Sequence, residues 1–322
     1  MKIGSISLDA PVIFAPMAGI SDLVYRRICR SFGAGMVTTE MVSAKAIVHE
    51  NANTSLLLRT DAADFPCVVQ IFGSDPDSMG RAAAFLDDSQ FVAIDINMGC
   101  PAPKIVKNGD GAALMREPAL IAKIIRAVKA NTSKPVTCKI RLGWDFNSIN
   151  CIEIAKIAED CDVSAITVHG RVRSQMFTGT ACWEGIKSVK NAVNVPVVGN
   201  GDIGEPVRAA QLMAESGVDA LMIGRASYGD PWVFKRVVSF LQRGIVLPMP
   251  TPQEKIAMAL EHSEAAIEHD GEKIALREMR KHIAWYIKGL RGAAEAKARV
   301  NNSKSFDEVR DILLRLEGDN AY

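Results

Sequence analysis

Residues 94–115 read IDINMGCPAPKIVKNGDGAALM. The stretch starts as a strand, with apolar residues around Asp95 and Asn97, and breaks at Gly99 into a cysteine, a proline and a glycine-rich, flexible loop with two lysines. A structural cysteine would sit inside the strand. Cys100 stands just past its end, where α/β enzymes keep their chemistry. The same layout of β-branched run, turn and helical pattern recurs: VIFAPM (12–17), MVTTE (36–40), CVVQIF (67–72), VAIDIN (92–97), VTCKIR (136–141), SAITVH (164–169), VPVVGN (195–200) and DALMIG (219–224). Near-continuous apolar strands alternating with helices imply a parallel sheet buried on both faces. Eight such units make an α/β fold of the (β/α)8 TIM-barrel type. A doubly wound sheet would have fewer units and a Gly-rich turn after its first strand. Here that turn is PMAGISD (16–22), with one glycine.

Beyond Leu247, PMPTP (248–252) reads as a linker. The remaining residues contain no strand-like run and show helical spacing at Ile256, Leu260, Ile267, Val309, Ile312, Leu313 and Leu316. The expected organisation is a barrel over 1–247 and a small all-helical domain over 248–322.

The chain has 322 residues, 48% hydrophobic and 23% charged, with a formal charge of +1. That is a globular composition, and it makes no global case for nucleic acid. PVIFAPMAGI (11–20) is broken by Pro11 and Pro16; it cannot span a bilayer and lacks signal-peptide layout, so a cytoplasmic protein without membrane contact is expected. Seven cysteines with no C-x-x-C pair argue against a disulfide framework and against a metal site.

In a TIM barrel the chemistry lies at the C-terminal ends of the strands. Those ends carry Met17, Glu40, Gln70, Asn97 with Cys100, Lys139 with Arg141, His169 with Arg171, Asn200–Asp202, and Gly224 with Arg225. One such residue alone reads as a cap; eight together form a ring around a pocket. VVGNGD and MIGRAS each place glycine before an expected helix, a phosphate site with Arg225 supplying charge. Gln70, Asn97 and Lys139 offer donors and acceptors to a planar heterocycle on the other side. Phosphate and heteroaromatic ring together read as FMN.

PMAGISD, DINMGCP with its K-x-x-x-G-x-G-A-A-L-M continuation, KIRLGW, TVHGR, GNGDI, IGRAS and the C-terminal RKHIAWYIKGLRGAAEAKARVN together resemble the tRNA-dihydrouridine synthases, most of all the bacterial B-type subfamily. The likeness runs from about residue 3 to 316 and keeps motif order. Two departures stand after the sixth strand: Val172 and Cys182 replace an expected hydroxyl and carboxylate.

The resemblance implies reduction of the 5,6 double bond of a D-loop uridine in tRNA, with FMN bound and NADPH as reductant. Hydride reaches carbon 6 of the uracil, and carbon 5 needs a proton on the opposite face. Cys100 fits that acid, because a free thiol is mostly protonated at neutral pH. Lys139 would stabilise negative charge on reduced flavin, Gln70 would bond the pyrimidine edge, and Pro16, Met17 and Ala18 would line the ring. His169, Asn200, Gly201, Asp202, Gly224 and Arg225 complete the cofactor set. Asn97 would stand beside both uracil and flavin, and Arg141 and Arg171 would meet phosphate or RNA.

Residues 273–304 hold nine Lys or Arg against two acids, a local net of +7. Arg280, Lys281 and Lys288 recur at helical offsets among Trp285 and Tyr286, as a phosphate-gripping face would. Three rivals stay open: an FMN barrel reducing a small enone or pyrimidine, a phosphate-handling lyase, and an RNA-binding scaffold.

Overall fold

Side chains alternate across a strand, so one strand can serve two surroundings. The outward residues Val69, Ile71, Ile94, Ile96, Ile140, Ile166 and Val168 are buried among the helices. The inward residues change character along the strand. At the base Val68, Ala93, Ala165, Val198 and Ala220 form an apolar plug with Ile3 and Leu8. Two residues further on, Gln70, Asp95, Thr167 and Asn200 are buried and polar. Each run therefore reads as nearly all apolar and ends in a hydrogen-bonding group.

The computed structural model describes residues 1–320; positions 321 and 322, the end of the expected helical domain, lie outside them. The eight strands are Val12–Phe14, Met36–Ser43, Cys67–Phe72, Ala93–Asn97, Val136–Arg141, Ala165–His169, Val197–Asn200 and Ala220–Ile223. All pair in parallel in chain order, and the eighth closes on the first. A hairpin of Lys2–Ile3 with Ile6–Ser7 brings Ile3 and Leu8 to the barrel base. Its two-residue strands are too short to leave a periodic signal.

Helix starts are chemically marked. The Asp22 carboxylate accepts the Tyr25 N–H at 2.8 Å ahead of the helix Leu23–Ser31. Thr251 and Glu254 form a reciprocal capping box where the linker ends and the helix Pro252–Asp270 begins. The helices Glu272–Tyr286, Ala293–Asn302 and Phe306–Asp319 come after it. This helical segment sits on the barrel: His262 stacks on Tyr25 with ring centroids 5.2 Å apart, and Trp285 on Tyr228 at 4.2 Å. Gly229, at φ +65°, lets the Trp285 backbone approach; a Cβ there would lie 2.4 Å from the Trp285 carbonyl carbon. Buried residues of both parts, Phe14 and Val24 with Ile256, Tyr286 and Leu313, belong to one continuous core. Among the described residues no helix is long and apolar enough to cross a membrane.

Candidate active site

A cavity of about 840 Å³ opens at the C-terminal mouth of the barrel. Pro16, Met17, Ala18, Gln70, Asn97, Lys139, His169, Asn200, Gly201, Asp202, Gly224 and Arg225 all border it, with Cys100 and Arg141. Its size suits an extended ligand. Met41, Met176, Phe177, Ile203 and Tyr228 border it too and were not anticipated. They are apolar or aromatic, and nothing in their local sequence separates them from core residues.

One side of the cavity is a hydrogen-bond chain. Asn97 Oδ1 accepts the backbone N–H groups of Gly99 at 3.1 Å and Cys100 at 2.9 Å, and its Nδ2 donates to Gln70 Oε1 at 2.7 Å. Gln70 Nε2 donates to Asp95 at 2.7 Å. Arg141 Nε donates to the Gly99 carbonyl at 2.7 Å, and the Ala112 N–H to the Cys100 carbonyl at 3.0 Å. Gly111, at φ +59°, packs directly below: a Cβ there would stand 2.8 Å from the Cys100 carbonyl oxygen. The expected flexible loop is thus a pinned one, and Gly111 serves close packing. Burial raises the Cys100 pKa above that of a free thiol, against smaller opposing effects of the Ala102 amide, Arg141 and Lys139. The thiol keeps its proton at neutral pH.

The next wall carries positive charge. The Lys139 ammonium is half-buried at the cavity wall, and among the described residues its hydrogen bond goes to Asn200 Oδ1 at 3.0 Å, a neutral acceptor. Desolvation, then Arg141, lower its pKa to about 8. A half-buried cation without a direct counter-ion fits a ligand that carries or gains negative charge beside it. Burial first, then Lys139, Arg141, Arg171 and Arg225, push the His169 pKa far below the usual histidine range. His169 is neutral; its Nε2 faces Arg171 Nη1 at 3.2 Å, so Nε2 accepts and the proton sits on Nδ1.

At the far end, Gly201 stands at φ +133° with Ala181 Cβ 2.7 Å from where its own Cβ would be. The backbone N–H groups of Gly201, Ile203, Gly204, Gly224, Arg225 and Ala226 donate to no acceptor among the described residues. With the half-exposed Arg225 beside them, this donor set suits an anion. The expected helix starts are not what supplies the donors. Gly224 precedes a three-residue 3₁₀ turn, Arg225–Ser227, and the helix after Gly201 begins only at Pro206.

Four of the expected residues have protein partners of their own. Arg171 is 1% exposed and lies outside the cavity lining. It holds both Asp202 oxygens at 2.7 and 2.8 Å, the carbonyls of Thr178 and Gly179, and His169 Nε2, so it braces a loop and turns its donors toward the protein. Asp202 borders the cavity, but its carboxylate serves Arg171, Arg225 and the Ala181 N–H, which makes it a brace for that donor set. Gln70 borders the cavity with its side-chain oxygen and nitrogen already bonded to Asn97 and Asp95. Glu40 does not join the ring: a register shift between Thr38 and Met41 turns Met41 into the cavity and leaves Glu40 accepting the Gly19 N–H. Arg141 borders the cavity, with Nε and Nη1 on backbone carbonyls and no bond from Nη2 among the described residues.

Arg280, Lys281 and Lys288 meet in a separate groove with Trp285, Lys297 and Asn301. Lys281 is paired with Glu278 at 2.6 Å, whereas Arg280, Lys288 and Lys297 form no ion pair among the described residues. No three His, Cys, Asp or Glu of the described residues come together as a metal site.

A family model described as "Dihydrouridine synthase (Dus)" matches residues 13–318. The chain belongs to the dihydrouridine synthase family. It is 41% identical over 307 residues to a "tRNA-dihydrouridine synthase B" of Pseudomonas aeruginosa, covering 95% of this chain and 92% of that one. It is 39% identical over 322 residues to the protein of that name from Vibrio vulnificus, covering 100% and 98%. A "Probable tRNA-dihydrouridine synthase" of Rickettsia conorii is 40% identical over 304 residues, covering 94% and 91%. Among solved structures, a 2-naphthoyl-CoA reductase complex aligns at TM-score 0.58 and 13% identity, over 74% of this chain and 51% of the other. An old yellow enzyme homologue from Zymomonas mobilis aligns at 0.53 and 12%, over 77% and 92%. These two speak for the barrel fold alone. The two departures from the family pattern, Val172 and Cys182, both lie outside the cavity lining.

Proposed function

We propose that this chain reduces a D-loop uridine of tRNA to dihydrouridine in the cytoplasm, with FMN held in the barrel mouth and NADPH as reductant. Family membership carries the reaction, and the donor set of the cavity supports the cofactor. The free amides around Gly201, Gly204, Gly224 and Arg225 suit a phosphate. Lys139 suits the electron-rich edge of the ring, and Pro16–Ala18 its face. When bound there, the flavin supplies the hydride that uracil carbon 6 receives.

The chain's own residues do the rest. Cys100 holds a proton on Sγ at the cavity edge and delivers it to carbon 5. Lys139 keeps a positive charge beside the ring, and neutral His169 offers a hydrogen bond without adding charge. Arg141 Nη2 meets the substrate. A stacked uridine cannot reach this floor, so the base must be turned out of the tRNA. We assign residues 1–247 to catalysis and 248–322 to tRNA binding, where Arg280, Lys288 and Lys281 grip phosphates.

Nucleoside analysis of tRNA from a deletion strain, resolved by position, tests the reading; unchanged dihydrouridine would reject it. Cofactor extraction from purified protein tests FMN, and FAD or no flavin would reject that part.

A further inference from the structure

Asp95 lies beneath the cavity on the fourth strand, 5% exposed and outside the cavity lining. Its Oδ1 accepts the Thr137 hydroxyl at 2.6 Å and its Oδ2 accepts from Gln70 Nε2 at 2.7 Å. The chain then runs through Gln70 and Asn97 to the N–H groups of Gly99 and Cys100. A side-chain amide donates at one end and accepts at the other, so two in series have a direction. The Gly99 and Cys100 N–H groups can only donate, which turns the Asn97 oxygen toward them. The Asn97 nitrogen then needs the Gln70 oxygen, and the Gln70 nitrogen needs an acceptor. Asp95 is that acceptor. Were the chain to run backwards, Asn97 would point its N–H at two N–H groups in a buried place, leaving donors unsatisfied.

The geometry points to Asp95 as the positioning residue that sets the direction of the Gln70–Asn97 chain and so holds the Cys100 backbone at the cavity mouth. It touches neither the cavity nor the reacting atoms. Its importance for catalysis rests on the proposed role of Cys100, but its effect on the loop does not. Amide hydrogen exchange therefore separates failure of this inference from failure of that role.

The segment suits the measurement, because Pro101 and Pro103 carry no N–H: in a peptide over 97–103, whose first two positions keep no label, only Gly99, Cys100 and Ala102 report. In flavin-loaded protein, Asp95→Leu removes the acceptor and should speed exchange there by roughly tenfold or more. Asp95→Asn should stay within about threefold of the parent. The Thr137 hydroxyl can turn from donor to acceptor for the new N–H, while the oxygen of the substituted side chain still serves Gln70. Thr137→Val alone should also be mild, since Asp95 remains. Combining Asp95→Asn with Thr137→Val leaves the new N–H no partner except Gln70, and exchange should rise by more than the two single effects combined. The double variant conserves side-chain size, so it carries the test if Asp95→Leu fails to fold. Asp95→Asn as fast as Asp95→Leu would show that charge and not direction matters; a double variant no faster than its singles combined would equally overturn the inference.

Discussion

The barrel mouth and the groove on the helical segment both present cations to a ligand, yet they are built in opposite ways. In the mouth and directly behind it nearly every polar side chain already has protein partners: Asn97, Gln70, Asn200 and Asp202 at the lining and Asp95 and Arg171 behind it bond one another or the backbone. In the groove Arg280, Lys288 and Lys297 form no ion pair among the described residues. The segment 273–304 nets +7, so the remainder of the +1 chain nets −6. Positioned chemistry needs fixed geometry, which mutual bonding supplies. Long-range capture of a polyanion needs net charge and tolerates mobile side chains. The difference predicts that changes in the mouth propagate through shared partners, while changes in the groove act one by one and fade with salt.

The largest effect should come from Cys100→Ala. Single-turnover reduction of tRNA should fall by roughly a hundredfold or more, the worth of a positioned general acid, with flavin content and NADPH oxidation kept. Loss of flavin from that variant would make Cys100 a structural residue and erase the contrast between chemistry and capture.

Lys139→Met should split activity from stability. The folded pKa of about 8 lies below the ordinary 10.5, so folding disfavours the charged form. The penalty is fully present below pH 8 and is relieved as pH rises from there towards 10.5. Flavin-free Lys139→Met should thus be more stable than the parent at pH 7, by about 1–2 kcal/mol in denaturant titration once partial exposure is discounted, with the advantage shrinking at higher pH. A less stable variant at pH 7 would mean that the lysine is part of the scaffold.

Arg171→Ala should act as damage to the scaffold. Losing several charge-assisted bonds to the loop carbonyls of Thr178 and Gly179 and to Asp202 should cost about 2 kcal/mol and lower the melting temperature by several degrees. Its KM for tRNA should stay near that of the parent; a raised KM with unchanged melting would restore the RNA contact.

The smallest effects should come from the groove. Arg280→Ala and Lys288→Ala should each raise KM for tRNA a few-fold and flatten its salt dependence by about one unit, with flavin content unchanged. Lys281→Ala should do less, because Glu278 already pairs with that ammonium. Equal effects from all three would remove the distinction between paired and free cations.

The sequence by itself determined the eight strands, their order and most of the polar groups at their ends. Those are local consequences of one rule: the outward face must be apolar all along, and the inward face may turn polar only near the mouth. It equally marked Cys100, Lys139 and the glycines at 201 and 224, because their types are unusual for strand ends. Only the tertiary structure decided which polar groups are free. Arg141 and Arg171 look alike in the chain, each two residues past a basic strand residue, Lys139 or His169, but Arg171 is consumed by Asp202, 31 positions away. Glu40 left the ring through a bulge that no residue type announces. Asp95 took its place at the end of a hydrogen-bond chain whose members lie 25 and 42 positions from it. Hydrogen-bond partners that distant are set by the closure of the barrel, and a local reading of residues has no access to it.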